Sequence, residues 1–137
     1  MKNSEVMTRN VQTTSPERSL REVAWLMDSI DSGAILVQED DRLVGMVTDR
    51  DITVRAVAAG LGVDTPVRQI MSRDVRYCFE DEDVQHVAAN MARIQLRRLP
   101  VLNREKRLVG VVSLGNIAAS RSEHASATVL QGVARAH

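Results

Sequence analysis

Two short clusters in this chain set a hydroxyl three residues before a second polar side chain: Thr48 with Asp51, and Ser113 with Asn116. Each follows an apolar run, Leu43 to Val47 and Leu108 to Val112, so each falls where a strand should hand over to a helix. A carboxylate there can accept hydrogen bonds from ligand hydroxyls, and its charge strengthens them. A Thr hydroxyl and the free amides of a helix start can meet a phosphate. The same residues can instead do no more than cap the helix, and local sequence leaves the two readings of Thr48 and Asp51 level. Asn116 offers only a neutral acceptor, so capping is the stronger reading there. Arg97 and Arg98 stand side by side before Leu99-Pro100-Val101, and Arg carries a planar fork suited to phosphate oxygens. Arg50, between Asp49 and Asp51, is free to pair with either carboxylate, to reach a phosphate, or to do nothing specific.

Other chemistry is poorly represented. His86, His124 and His137 are scattered and Cys78 is the single cysteine, so neither an internal disulfide nor a Cys-type zinc site is available, and no metal site is expected. No Ser/His/Asp or Cys/His arrangement stands out, and no enzyme activity is expected. Glu80-Asp81-Glu82-Asp83 reads as an acidic helix start that complements the helix dipole, without calcium-loop spacing. The glycines form neither a P-loop nor a dinucleotide fingerprint.

The bulk properties agree. The chain has 137 residues, 44% of them hydrophobic, and 18 basic residues balance 18 acidic ones. That charge balance gives no footprint for duplex binding, and Trp25, Tyr77 and Phe79, the only aromatics, make no stacking platform for single strands. Met1-Lys2-Asn3-Ser4-Glu5 runs into polar residues rather than an apolar leader, and no apolar run approaches a membrane span. The expectation is a cytoplasmic protein with no nucleic-acid or membrane partner.

The elements that would position the clusters occur twice. Met7-Thr8-Arg9-Asn10-Val11 is echoed by Met71-Ser72-Arg73-Asp74-Val75, an offset of 64 from Met7 to Met71. Leu20, Val23, Ala24, Met27 and Ile30 pair at that offset with Val84, Val87, Ala88, Met91 and Ile94. Arg42-Leu43-Val44-Gly45-Met46-Val47-Thr48 then matches Arg107 to Ser113 at 65, one residue having entered a polar turn where insertions are tolerated. In the first copy the residues predict a strand at 11–13, a helix from Ser19 with a Ser19/Glu22 capping box, and strands at 34–38 and 43–48. A helix over about 51–59, ended by Gly60, follows. The second copy predicts a strand at 75–78, a helix at 84–94, strands at 99–102 and 108–112, and a helix from about Gly115. Residues 4–60 form repeat 1, 67–120 repeat 2, and 121–137 a tail with helical spacing at Ala125, Val129 and Val133. One copy is too small to bury both its faces well, so two should share a core.

The stretch Ala34-Ile35-Leu36-Val37, then Leu43 to Ile52, resembles the CBS-domain family, named after cystathionine β-synthase. So does Arg98-Leu99-Pro100-Val101 followed by Leu108 to Ile117. Two copies in the right order make the resemblance strong, and it is nearest to small stand-alone bacterial CBS-pair proteins. It implies an α/β (α+β) fold of two βαββα repeats packed as a pseudo-twofold pair, the Bateman module, and a homodimer. It implies a non-catalytic sensor that binds AMP, ADP, ATP or S-adenosylmethionine between the repeats and modulates an unidentified protein partner, with no required cofactor. Thr48 and Asp51 fall on the family's ribose and phosphate motif, with Asp51 accepting from the ribose. Ser113 and Asn116 depart from it, since Asn replaces Asp. Arg97 and Arg98 would approach phosphates. Ser32, Gly33 and Ala34 would leave room for an adenine ring, and Val11 and Val75 would wall the base pocket or serve as plain core. The rival reading is a ligand-free interaction module, kept open by Asn116 and by Leu36 standing where Pro100 stands in the second copy.

Overall fold

The computed structural model describes residues 1–124. The chain forms two compact units. One comprises Val11–Arg76 with Glu105–Leu108, and the other Met1–Asn10, Tyr77–Arg104 and the chain from Val109. Among the described residues no helix is long and apolar enough to cross a membrane.

The first unit is built from β1 (Thr13–Thr14), α1 (Leu20–Ile30), β2 (Ala34–Glu39), β3 (Arg42–Thr48) and a short α2 (Asp49–Asp51) that continues as a π-helix over Ile52–Val57. β2 is central, parallel to β1 and antiparallel to β3, with a bulge between Val37 and Gln38. Ile35, Leu36 and Val37 are buried in succession, as the β-branched and apolar run requires of a strand covered on both faces. α1 turns Leu20, Val23 and Met27 inward, the spacing of one helix face. Its capping box is half formed. The Glu22 amide donates to Ser19 Oγ at 3.2 Å, but the Glu22 carboxylate accepts from Ser19 Oγ and from Arg18 Nη1 at 2.6 Å rather than from a backbone amide. The expected helix over 51–59 is a single α turn that widens, with the Ala58 amide donating to Thr53 O at 3.1 Å and Leu61 to Ala56 O at 2.9 Å. Gly60 follows at φ +76°, where a side chain is disfavoured.

The second unit repeats this plan with β4 (Cys78–Phe79), α3 (Val84–Ile94), β5 (Arg98–Leu102), β6 (Leu108–Ser113) and α4 (Leu114–His124), its strands in the order β4-β5-β6. Asp83 caps α3, and Val84, Val87, Met91, Leu99, Val101, Val112 and Ile117 form its core. α4 runs past residue 120 to His124. The remainder of the expected tail helix lies outside the described residues.

The compact units do not follow the repeat boundaries of 4–60 and 67–120. Residues 1–10 precede the first repeat's sheet yet belong to the unit of the second, and 67–76 belong to the unit of the first. The docking is the same on both. Asn3 donates its amide to Glu82 O, Ser4 to Glu80 O and Val84 to Met1 O at 2.8–3.0 Å. At an offset of 64, Val67 donates to Arg18 O, Arg68 to Pro16 O and Leu20 to Thr65 O at 2.8–3.0 Å. Thr8 exchanges two backbone hydrogen bonds with Val111, and Ser72 does so with Met46, at 2.8–2.9 Å. Each segment also fills a core: Val67, Ile70 and Met71 in the first unit, Met7 in the second. Burial of such a side chain contributes about 1.5–3 kcal/mol.

Gly45 and Gly110 make these approaches feasible. A Cβ on Gly45 would lie 2.7 Å from Met71 Sδ and 2.9 Å from Ser72 O; one on Gly110 would lie 2.7 Å from Thr8 O and 2.8 Å from Met7 Sδ.

Candidate functional site

In the first unit β3 ends at Thr48, which pairs with Ala34 at the start of β2. The Asp49 amide donates to Gly33 O at 2.9 Å, which ties the Ser32-Gly33-Ala34 loop to the start of α2. Ser32 Oγ donates to Ala34 O at 2.9 Å and closes that loop on itself. Gly33 is small for a local reason: a Cβ there would meet Asp49 Oδ2 at 3.0 Å, so the space expected for an adenine ring is used in part by this carboxylate.

Thr48 and Asp51 form a reciprocal cap. Thr48 Oγ1 accepts from the Asp51 amide at 3.1 Å, and Asp51 Oδ2 accepts from the Thr48 amide at 2.9 Å. The capping reading is therefore correct, but it does not exhaust the carboxylate. Asp51 Oδ1 has Arg55 Nε at 3.7 Å, an ion pair too long to be a hydrogen bond, and so keeps acceptor capacity. Arg55 was not among the sequence candidates, although its four-residue spacing from Asp51 on a helix is a readable signal. Its Nη1 donates to Ile70 O at 3.2 Å, joining the helix to the docked segment. Arg50 is exposed and its amide donates to Asp49 Oδ1 at 2.8 Å.

The second unit carries the parallel junction with different chemistry. The Leu114 amide donates to Arg97 O at 3.0 Å, as Asp49 does to Gly33. Asn116 Oδ1 accepts from the Ser113 amide at 3.2 Å and from Ser113 Oγ at 2.8 Å, while Ser113 Oγ accepts from the Asn116 amide at 3.0 Å. Both lone pairs of the Asn116 oxygen are thus engaged. The Ser113 amide fixes which way the side chain faces, and what remains is the Nδ2 donor. The oxygen expected to serve as a weak neutral acceptor at Asn116 is thus already used within the chain. Arg97 and Arg98 are exposed, Arg98 being the first residue of β5.

Val11 and Val75 do not lie on the first strands, which begin at Thr13 and Cys78. The reason is local: these strands need partners from β2 and β5, and their pairing starts at Thr13 with Leu36 and at Cys78 with Val101. Both valines are partly buried in the preceding loops. The structure groups Val11, Ser32, Gly33, Ala34, Thr48, Arg50, Asp51 and Val75 in the first unit, and Arg97, Arg98, Ser113 and Asn116 in the second.

Cys78 is buried, and burial together with the nearby Glu82 charge pushes its thiol up to about 12, against a smaller opposing contribution from the Asn3 amide. Burial and the raised value both disfavour the reactive thiolate at neutral pH. Among the described residues no group of three His, Cys, Asp or Glu side chains could hold a metal ion.

Comparison with known proteins gives a consistent result. The family model "CBS domain" matches the chain twice, at residues 4–57 and 67–123. A CBS domain-containing protein, YhcV of Bacillus subtilis, is 38% identical over 123 residues, which cover 90% of this chain and 87% of that one. The crystal structure of Hypoxic Response Protein I, with two coordinated zinc ions, is similar at a TM-score of 0.75 and 32% identity over 87% of this chain and 98% of that one. The CBS domain pair of protein MJ0100, in complex with 5-methylthioadenosine and S-adenosyl-L-methionine, is similar at a TM-score of 0.72 and 25% identity, covering 90% and 98%. With two matched domains, two copies of one strand-helix plan and relatives of nearly its own length, this chain belongs to the CBS-domain family, as a tandem pair resembling the stand-alone members.

Proposed function

We propose that this chain is a non-catalytic regulatory module that takes an adenosine-type nucleotide at the junction bearing Thr48 and Asp51, and that binding there modulates a dimer or a partner protein. The observation that carries this reading is the free acceptor on Asp51. One carboxylate oxygen holds the Thr48 amide, while the other has no hydrogen bond and carries charge toward an incoming pair of ribose hydroxyls. The adenosine-containing ligands of the similar MJ0100 pair point to the same class. Asn116 presents a donor in the equivalent place, so the two junctions are unequal and the one at Asp51 should fill first.

Calorimetry with AMP, ADP, ATP, 5-methylthioadenosine and S-adenosylmethionine tests the reading. Asp51→Asn retains a cap and removes the charge, so it should weaken binding about tenfold, the equivalent of about 1.4 kcal/mol. Asn116→Ala should change it little. Equal losses from the two substitutions, or no loss from Asp51→Asn, would put the ribose acceptor elsewhere. No heat and no thermal shift with any of the five would favour the second reading, a ligand-free interaction module. That reading has its own observation. Val54, Val57, Leu61 and Val63, in and just after the π-helix, are 38–69% exposed. Under either reading these apolar side chains support a homodimer, and sedimentation showing a monomer at micromolar concentration would count against it.

A further inference from the structure

A groove of about 550 Å³ runs along the first unit, away from the Thr48–Asp51 junction. It is bounded by β1 (Thr13, Thr14), the outer face of α1 (Glu22, Trp25) and the β2–β3 turn (Asp40, Asp41). Its character is best read against the same place in the second unit, 64 residues on. There Phe79 replaces Ser15, Tyr77 replaces Thr13, and Ala89 stands where Trp25 does. Tyr77 and Phe79 stack edge to face with centroids 5.6 Å apart. The guanidinium of Arg104, from the β5–β6 turn, lies 4.1 Å over the Phe79 ring and holds both oxygens of Asp81 at 2.7 and 2.8 Å. The second unit therefore fills this place with its own aromatic ring and its own guanidinium.

The first unit has the receptors without a guanidinium recorded over its aromatic ring. Trp25, the only tryptophan, is 75% exposed. In the turn that supplies Arg104 to the second unit, the first unit has Asp40 and Asp41. Arg18 is taken by Glu22 at 2.6 Å, and Asp41 faces Arg107 at 3.3 Å. Arg107 Nη1 also donates to the main-chain Asp40 O at 3.5 Å, while the Asp40 carboxylate itself has no ion-pair or hydrogen-bond partner recorded among the described residues. The residual charge is negative, which disfavours a phosphate and favours a cation that can lie on an indole face. β1 pairs only with β2, so its other edge carries backbone groups that no strand of this unit uses.

We propose that this groove binds the arginine side chain of an extended partner polypeptide, its guanidinium between Trp25 and Asp40 and its backbone along the free edge of β1. The site is separate from the Thr48–Asp51 junction, and the proposal stands whether or not a nucleotide binds there.

Trp25 reports directly on its own site, because it is the only tryptophan. Titration of the full chain with acetyl-Gly-Arg-Gly-amide at low salt should change its emission saturably, and added salt should weaken the effect. Asp40→Asn should weaken binding about tenfold or more by removing the charge. The fold should survive, since Asp40 sits at φ 53°, which Asn adopts readily. Trp25→Ala, read by calorimetry, should lose binding as well. Absence of a saturable change, or an Asp40→Asn variant that binds equally well, would overturn the proposal. So would AMP producing the same emission change, which would place an anion in the groove. Agmatine matching the peptide would refute the backbone pairing along β1. An emission change driven by protein concentration alone would show that a second copy covers Trp25.

Discussion

Adding one methyl group at Gly110 should damage the fold more than its size suggests. The alanine Cβ would sit 2.7 Å from Thr8 O and 2.8 Å from Met7 Sδ. The Met7 side chain can turn aside, but Thr8 O is main chain and accepts the Val111 amide at 2.9 Å. Relief therefore requires residues 7–8 to lift off β6, loosening the two bonds between Thr8 and Val111. Overpacking of this kind costs about 1–3 kcal/mol, and two weakened backbone hydrogen bonds add about 0.5–1.5 kcal/mol each. Alanine recovers about 0.5–1 kcal/mol through the unfolded chain. The net expectation for Gly110→Ala is a loss of about 1–5 kcal/mol, and Gly45→Ala should match it through Met71 and Ser72. Met7→Ala added to Gly110→Ala should restore little, because the main-chain oxygen remains. Gly62→Ala, with nothing within 4 Å of its Cβ, is the control and should be neutral or slightly stabilising. Urea unfolding followed by circular dichroism measures all four. Gly45→Ala and Gly110→Ala within about 0.5 kcal/mol of Gly62→Ala would refute the close-approach argument.

Further outcomes follow from single residues. Asn3 occupies the place of Val67 in the other unit, fully buried, with its Oδ1 lacking a partner and its Nδ2 donating to Cys78 Sγ and Phe79 O. Phe79 O also accepts from the Glu82 amide, so Asn3→Val should leave urea stability unchanged or raise it by up to about 1 kcal/mol; a loss larger than that would show that Oδ1 is satisfied. Native Cys78 should resist dithionitrobenzoate at pH 8 and react once urea unfolds the chain, and prompt reaction in the native state would contradict its burial. Its folded value, about 12, lies above the unfolded value of 9.0, so its contribution to stability is complete below pH 9 and is lost as pH rises toward 12. Thermal melts at high pH of the wild type and Cys78→Ala should therefore converge, and parallel curves would argue against the shift. Ser19→Ala should cost about 1 kcal/mol in the same urea assay by freeing the Glu22 amide, and no loss would show that water caps α1 equally well.

The elements legible in the sequence were those specified by local pattern. The α3 bounds of Val84–Ile94 match the expected ones because its apolar residues recur on one face and Asp83 precedes them as a cap. The four long strands lie within a residue or so of expectation, since their apolar runs end at turn residues. What the sequence did not show depends on distant partners. The docking of Met7 on Gly110 has no local signature, because a methionine beside a threonine looks the same wherever it packs. The π-helical widening after Asp51 follows no composition rule. The direction of the Asn116 amide is set by the Ser113 backbone, so its type alone did not show that its oxygen is already engaged within the chain. Arg55 was readable from its spacing to Asp51 and was passed over because the motif ended one turn earlier.

The exchanged segments bear on how the chain comes off the ribosome. Residues 1–10 are made about a hundred residues before the surface they dock on, which is finished only when Val111 has been added. Until then they have no partner, and the first unit closes around Val67, Ile70 and Met71 while residues 1–10 wait for the second. The three side chains it takes from residues 67–71 are worth roughly 5–9 kcal/mol, comparable to the whole margin of a small domain. A ribosome paused in the exposed stretch around Leu61 therefore holds a first repeat without its closing piece, and a chain cut there leaves two halves that each carry part of both cores. Such halves are incomplete apart and complementary together, so the repeat, although it is the unit of duplication, is not the unit of folding.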